Sequence, residues 1–127
     1  MSGKIDVSKL NSLPEEHEFA VAKFFSDLGK DVEFIRPSNI PNIHTPDIHM
    51  DGVDWEIKSP QGQSKRTLEN NLRKALLQSK NIIFDLRRLN LPENECINKL
   101  THEFQRNSKV RKLLIIKHDG SLVENIK

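Results

Sequence analysis

Cysteine, tyrosine and long apolar runs are scarce or absent in this chain of 127 residues. Its one cysteine, Cys96, excludes an intramolecular disulfide framework, and no Cys/His spacing matches a structural zinc site. Tyrosine is absent and Trp55 is the one tryptophan, which disfavours binding of single strands by base stacking. Because there is no apolar run of about 18 residues and no signal-peptide pattern, we expect neither a membrane span nor an export signal.

The charge of the chain is balanced in total but uneven along the sequence. Twenty basic and 18 acidic residues give a net charge of +2. Residues 58 to 88, however, hold eight basic and two acidic residues, a local excess of six. A basic segment beside an acidic pocket fits a polyanion whose backbone is gripped while one phosphate is attacked. The alternative interpretation is a solubilising helix surface.

The most informative pattern spans residues 47 to 58. Asp51-Gly52 separates two alternating runs, which predicts a two-residue hairpin turn and fixes the register of the two strands. In this register the apolar residues share one face. The opposite face holds Asp47, His49, Asp54, Glu56 and Lys58. Asp47 then lies directly opposite Glu56, with the two Cβ atoms roughly 5 Å apart.

Two carboxylates this close repel each other unless a proton or a cation lies between them. A divalent metal or a basic partner is the natural remedy, and Lys58 places a positive charge two residues beyond Glu56. Such a site suits cleavage of a phosphodiester, in which a cation offsets phosphate charge and a base prepares the nucleophile. The alternative is a solvated hairpin face on which His49 and Asp54 form a cross-strand ion pair.

The remaining pattern predicts a single small α/β (α+β) domain. Residues 1–13 are polar and unpatterned, which indicates a linker or leader, and we expect the domain over residues 14–127. The predicted order is α-β-β-β-α-β-α-β-β, with a central mixed or mostly antiparallel sheet flanked by helices. Helices are expected at about 14–28, 65–79 and 93–106, and strands at 31–35, on both arms of the hairpin, and at 81–86, 110–117 and 122–126.

Several polar residues outside the hairpin are candidates for holding a substrate. Lys65 lies near a helix start, where free N–H groups bind phosphate, although simple capping by Ser64 explains the same pattern. Asn71, Arg73 and Gln78 lie off the buried stripe of that helix, and Arg87 directly follows a buried strand. Of the five histidines, only His49 is predicted to be placed for chemistry. The expected substrate-binding residues are His49, Lys65, Asn71, Arg73, Gln78 and Arg87.

The order α-β-β-β-α-β resembles the core of a broad nuclease class that has an acidic residue on one strand and Glu-x-Lys on the next. In this chain the two motifs are Pro46-Asp47 and Glu56-Ile57-Lys58. The resemblance implies that Asp47 and Glu56 bind magnesium and that Lys58 orients the attacking water. It also offers Glu18, on the first predicted helix, as an additional carboxylate.

A longer resemblance covers about residues 18–126. It rests on Pro46-Asp47-Ile48, Met50-Asp51-Gly52, Trp55-Glu56-Ile57-Lys58-Ser59-Pro60, Gly62, Ser64-Lys65, Asn71-Leu72-Arg73-Lys74-Ala75, Gln78-Ser79, Asn81-Ile82-Ile83-Phe84-Asp85-Leu86-Arg87-Arg88 and Leu113-Leu114-Ile115-Ile116. These segments resemble the C-terminal transfer-RNA nuclease domain of CdiA, the toxin of bacterial contact-dependent growth inhibition. The resemblance implies a toxic ribonuclease, part of a secreted or cell-surface protein, that cleaves tRNA in the cytoplasm of a target bacterium.

The same resemblance implies a cognate immunity protein that occludes the site in the producing cell, and it leaves open an activating protein in the target cell. Charge complementarity favours an acidic immunity protein. Some related toxins have the fold of barnase and cut RNA without metal. The sequence does not decide between that fold and the Glu-x-Lys class, so the cofactor stays open.

Three functions therefore remain open. A metal-free ribonuclease uses Glu56 or Asp47 as base, Lys58 and an arginine as charge stabilisers and His49 as acid or base, with no cofactor. A metal-dependent deoxyribonuclease uses Asp47 and Glu56 as Mg²⁺ ligands and does not need a 2′-hydroxyl. A noncatalytic nucleic-acid-binding module needs only the basic segment, and it should lose nothing when Glu56 is changed to Gln.

Overall fold

A computed structural model describes residues 2–127. Its elements follow the order β1 (Ile5–Asp6), α1 (Glu16–Asp27), β2 (Val32–Phe34), β3 (Ile48–Met50), β4 (Val53–Lys58), α2 (Lys65–Gln78), β5 (Asn81–Asp85), α3 (Glu93–Arg106), β6 (Lys112–Ile116) and β7 (Leu122–Ile126). The α/β class and the predicted order are confirmed, with β1 added at the front. No helix among residues 2–127 has both the length and the apolar character needed to cross a membrane.

The chain forms two compact units, Met1–Ile57 and Lys58–Lys127. In the first unit, β1 pairs in parallel with β2, while β2–β3 and β3–β4 are antiparallel. The predicted hairpin register is confirmed, because Met50 pairs with Val53 and Ile48 with Trp55. Asp51 and Gly52 both have positive φ, at 55° and 79°, as a type I′ turn requires.

Helix α1 packs its apolar face into the first unit. Glu16 and Glu18 lie in its first turn, where negative charge is favourable, and Val21, Ala22 and Phe25 are fully buried. The helix ends at Asp27, and two residues later the φ of 91° at Gly29 allows its N–H and that of Lys30 to bond back to the last turn. The face of α1 that carries Glu18 is thereby fixed against the strands.

Residues 2–13, expected as a linker or leader, contain β1. Gly3 donates to Ser26 O at 2.7 Å, and the N–H of Val32 bonds to Lys4 O at 2.8 Å. A Cβ placed on Gly3 would lie 1.9 Å from the carbonyl oxygen of Lys30, so only glycine fits this approach. The pattern did not predict β1, because two residues are too few to show alternation and their partners lie far along the chain.

The second unit has one continuous hydrophobic core. Strands β5 and β6 are parallel and are joined by α3, and β6 and β7 form an antiparallel hairpin. Helices α2 and α3 contribute Leu68, Leu72, Ala75, Cys96, Leu100 and Phe104 to the core, and β5 and β6 contribute Ile82, Phe84, Leu113 and Ile115. The combination of parallel and antiparallel pairs confirms the prediction of mixed pairing.

Candidate active site

Asp47 lies immediately before β3 and links it to β4 through its side chain. Its backbone N–H bonds to Trp55 O at 2.9 Å, and its Oδ2 accepts the N–H of Ile57 at 2.7 Å. The carboxylate therefore takes the position that a backbone carbonyl would occupy in the next rung of the ladder. Because a side-chain oxygen replaces the backbone acceptor, the strand pairing ends here and the Asp47 carboxylate is fixed across from Glu56.

Three carboxyl groups meet at this point. Asp47 is hydrogen-bonded to Glu56 on β4 and to Glu18 on α1. Glu56 is only 2% exposed, whereas Glu18 and Asp47 are half-buried. Because a hydrogen bond between two carboxyl groups needs a proton, the cluster retains protons that isolated carboxylates would lose. Both the proximity of Asp47 to Glu56 and the third carboxylate, Glu18, agree with the sequence analysis.

Burial and mutual repulsion raise the proton affinity of this cluster. The pKa of Asp47 rises to about 7, first because burial disfavours its charge and then because of the hydrogen bond and charge of Glu56. The pKa of Glu18 rises to about 6, from burial and then from the charge of Asp47. A carboxylate with a pKa near the working pH is suited to accept and return a proton during catalysis.

A histidine is paired with this cluster, and it is His44. Its Nε2 lies 2.6 Å from Oε2 of Glu56, a contact that is an ion pair when the imidazole is protonated. About a third of the His44 side chain is exposed, so the ring can reach a substrate while Glu56 orients it. Periodicity could not identify His44, because it lies in the proline-rich loop between β2 and β3. The sequence signal that points to His44 is its position two residues before Pro46-Asp47.

His49, the histidine that the sequence favoured, lies elsewhere. Its Nδ1 is 2.7 Å from Oδ1 of Asp54, its direct partner across the hairpin, and both side chains are about half exposed. The expected contact of His49 with Asp54 across the hairpin is present, and the role of His49 in substrate binding stays a prediction. His49 shares the polar face with Asp47 but lies two positions along the strand, and its ring turns to the carboxylate directly opposite.

A cleft of about 500 Å³ opens beside the carboxyl cluster within the first unit. Glu18, His44 and Asp47 line it, together with residues 10–15, 34–35, 37–39 and the end of the loop at 43–46. None of its described lining residues is Lys or Arg. A phosphate entering this cleft therefore needs positive charge from elsewhere. Lys58, half-buried at the end of the strand that carries Glu56, is the nearest basic residue along that strand.

The carboxyl cluster offers oxygen ligands of the kind that a divalent metal binds. Carboxylate oxygens are the ligands that Mg²⁺ prefers. Among residues 2–127, however, no group of three or more His, Cys, Asp or Glu side chains is arranged so that it could hold a metal ion. Glu18, Asp47 and Glu56 therefore have the ligand chemistry that Mg²⁺ prefers but not the arrangement of a metal site.

The remaining predicted substrate-binding residues belong to the second unit. Lys65 is exposed, with its Nζ 3.9 Å from Glu95 on α3. Asn71 donates to Thr67 O at 2.8 Å, within its own helix, and Ser64 makes no side-chain capping bond. Arg73 and Gln78 are exposed on α2. Their roles in binding stay predictions.

Arg87 holds a buried carboxylate at the end of β5. Its Nε and Nη2 donate to the two oxygens of Asp85, each at 2.9 Å, and Asp85 is only 2% exposed. Such a bidentate pair is a sufficient structural reason for Arg87, and its role in substrate binding stays a prediction. The next residue, Arg88, donates to Ser59 O at 3.1 Å, which fixes the segment that follows Lys58.

Comparison with known proteins gives the chain a family. A solved structure, described as the CdiA-CT/CdiI toxin and immunity complex from Burkholderia pseudomallei, matches with a TM-score of 0.70 and 14% sequence identity, over 98% of this chain and 100% of the other. At that identity the match shows a shared fold. No curated protein sequence matches the chain. The family model for the contact-dependent growth inhibition CdiA C-terminal domain matches residues 44–122. That match spans more than half of the chain, so the chain belongs to the family of CdiA C-terminal domains.

Proposed function

We propose that the chain is a toxin ribonuclease that cleaves transfer RNA. The observation that supports the proposal best is a cleft lined by Glu18, His44 and Asp47, with the buried Glu56 in contact with both Asp47 and His44. A buried cluster of like charges destabilises the fold, so a structural role gives no reason for it. An endonuclease needs a base, an acid and a cation at one phosphate, and these residues with Lys58 supply all three.

In this proposal Asp47 is the general base. It accepts the proton of the ribose 2′-hydroxyl while the 2′-oxygen forms a bond to phosphorus. The bond from phosphorus to the 5′-oxygen breaks, and the protonated His44 ring gives its proton to that oxygen. Lys58 stabilises the negative charge on the phosphate. The products are a 2′,3′-cyclic phosphate and a free 5′-hydroxyl, and Glu56 acts by orienting His44 and by raising the pKa of Asp47.

By its family, the domain would be the toxic end of a secreted or cell-surface protein that acts in the cytoplasm of a target bacterium. The solved relative is described as a complex of toxin and immunity protein. We accordingly propose a cognate immunity protein as the partner of this chain in the producing cell. An occluding partner is needed because an open, active cleft would damage the cell that makes it.

A metal-dependent deoxyribonuclease is the second candidate, because three carboxylates and a nearby lysine are also the donor set of that chemistry. The test uses purified domain with total bacterial RNA and with plasmid DNA, each with Mg²⁺ and with EDTA. Cleavage of RNA alone that persists in EDTA supports the ribonuclease. DNA cleavage that EDTA abolishes supports the second candidate instead.

Glu56→Gln provides the site variant, with Glu16→Gln as its matched control. Glu16 is an exposed carboxylate two residues from Glu18, so the control makes the same chemical change outside the cluster. We expect Glu56→Gln to lower cleavage at least about 100-fold and Glu16→Gln to leave it unchanged. Equal cleavage by the two variants would contradict a catalytic role of Glu56. Absence of cleavage by the wild type, together with unchanged RNA binding in Glu56→Gln, would favour a noncatalytic binding module.

A further inference from the structure

The second unit has a groove that the proposed chemistry does not use. It has a volume of about 420 Å³ and lies between the end of α2 and the start of β6. Its polar lining consists of Gln78, Ser79, Lys80, Ser108, Lys109 and Arg111, and its apolar lining of Leu76 and Leu77. None of these described lining residues is acidic, so the groove concentrates positive charge.

Three cations of this groove are available to a ligand. Lys80, Lys109 and Arg111 are exposed, and none is ion-paired with a carboxylate among residues 2–127. The backbone holds two of them together, because the N–H groups of Arg111 and Lys112 both bond to Lys80 O, at 2.7 and 3.2 Å. The arrangement is therefore set by the main chain, and changes of the three side chains should leave the fold intact.

We infer that this groove binds the phosphate backbone of the RNA substrate. Lysine, arginine, serine and glutamine side chains are the groups that contact phosphate and sugar in nucleic-acid complexes. The groove has no aromatic residue, the usual anchor of a protein interface. The inference rests on the proposed function for the identity of the ligand, and it adds Lys80, Lys109 and Arg111 to the predicted contact Gln78.

The position of the groove sets a minimum size for the substrate. The groove adjoins the first residue of β5, whereas Lys58–Ser59 is tied to the other end of that strand by the bond from Arg88 to Ser59. A strand of five residues spans about 17 Å. An RNA that touches both Lys58 and the groove therefore spans about 17 Å between them. Such a site selects extended or folded RNA over short oligonucleotides.

The test measures binding of mixed bacterial transfer RNA by fluorescence anisotropy over a series of salt concentrations. Two variants are compared, and both carry Glu56→Gln so that binding is measured without cleavage. One of them, the groove variant, adds Lys80→Ala, Lys109→Ala and Arg111→Ala. The control adds Lys4→Ala, Lys23→Ala and Lys99→Ala, which remove the same number of positive charges from exposed positions outside residues 58–88 and outside the groove.

We expect the groove variant to bind RNA about 10- to 100-fold more weakly than the control at 0.1 M salt, with a salt slope lower by about 2 to 3. Equal affinity and equal slope would overturn the inference. Polyglutamate is the second probe. Loss of polyglutamate binding with unchanged RNA binding would assign the groove to an acidic protein and would also overturn it. Neither readout depends on cleavage. Failure of the ribonuclease proposal would appear in the cleavage assay and is thereby distinguished from failure of this inference.

Discussion

Nε2 of His44 lies 2.6 Å from Oε2 of Glu56, so a residue of an irregular loop is paired with a buried residue of β4. One member of the pair is an exposed imidazole ring that can donate a proton. The other is a carboxylate that can stabilise the charged form of that ring. In the proposed mechanism this ring protonates the leaving 5′-oxygen.

Removing the His44 ring should therefore lower catalysis more than binding. We expect His44→Gln to reduce kcat by about 100-fold or more while KM changes little, because a positioned acid acts in the transition state. Single-turnover cleavage of transfer RNA measures this effect. His102→Gln, on an exposed face of α3, serves as the control. Full activity of His44→Gln would exclude His44 as the acid.

The carboxyl cluster should make the fold less stable as the pH rises. Folding raises the pKa of Asp47 from 3.8 to about 7, so the folded chain holds a proton that the unfolded chain releases. Stability from this proton is fully present below about pH 4 and is lost as the pH rises through about 7. Asp47→Asn keeps an acceptor for the N–H of Ile57 and removes the titration.

We accordingly expect Asp47→Asn to match the wild type near pH 4 and to be more stable at pH 8, by about 2 to 4 kcal/mol. Urea unfolding at the two pH values measures the difference, and the same variant should not cleave RNA. A variant that is less stable than the wild type at pH 8 would show that Asp47 is not held under charge repulsion.

Gly3 should be essential for docking of β1. Any side chain at this position meets the main chain of Lys30, because a Cβ would lie 1.9 Å from its carbonyl oxygen. We expect Gly3→Ala to expose residues 2–6 to limited proteolysis and to destabilise the fold by about 1 to 3 kcal/mol. Ser2→Ala is the neighbouring control. Unchanged protease resistance in Gly3→Ala would mean that residues 2–6 do not dock as described.

The Arg87–Asp85 pair should be structural. Arg87→Ala leaves a buried carboxylate without its two charge-assisted hydrogen bonds, and we expect a loss of about 1 to 3 kcal/mol in thermal unfolding. Arg88→Ala, which removes a single bond to a backbone carbonyl, should cost less. If Arg87→Ala lowers RNA affinity without lowering stability, Arg87 serves the substrate instead.

The elements whose residues follow a local periodic pattern could be predicted from the sequence. The hairpin register follows from Asp51-Gly52 and alternation, and both α3 and β7 have the predicted bounds. The contact of Asp47 with Glu56 follows from that register. His44 could not be placed, because an irregular loop between prolines positions it. Strand β1 could not be predicted, because a two-residue strand depends on partners that only the fold supplies.

The central claim is that Asp47 activates the ribose 2′-hydroxyl, and the ends of the cleaved RNA test it most directly. We expect mass spectrometry of cleaved transfer RNA to show a 2′,3′-cyclic phosphate and a 5′-hydroxyl, and a single 2′-deoxy substitution at the cleaved nucleotide to abolish the reaction. A 5′-phosphate product, or cleavage at the deoxy position, would contradict the account, because the nucleophile would then be water.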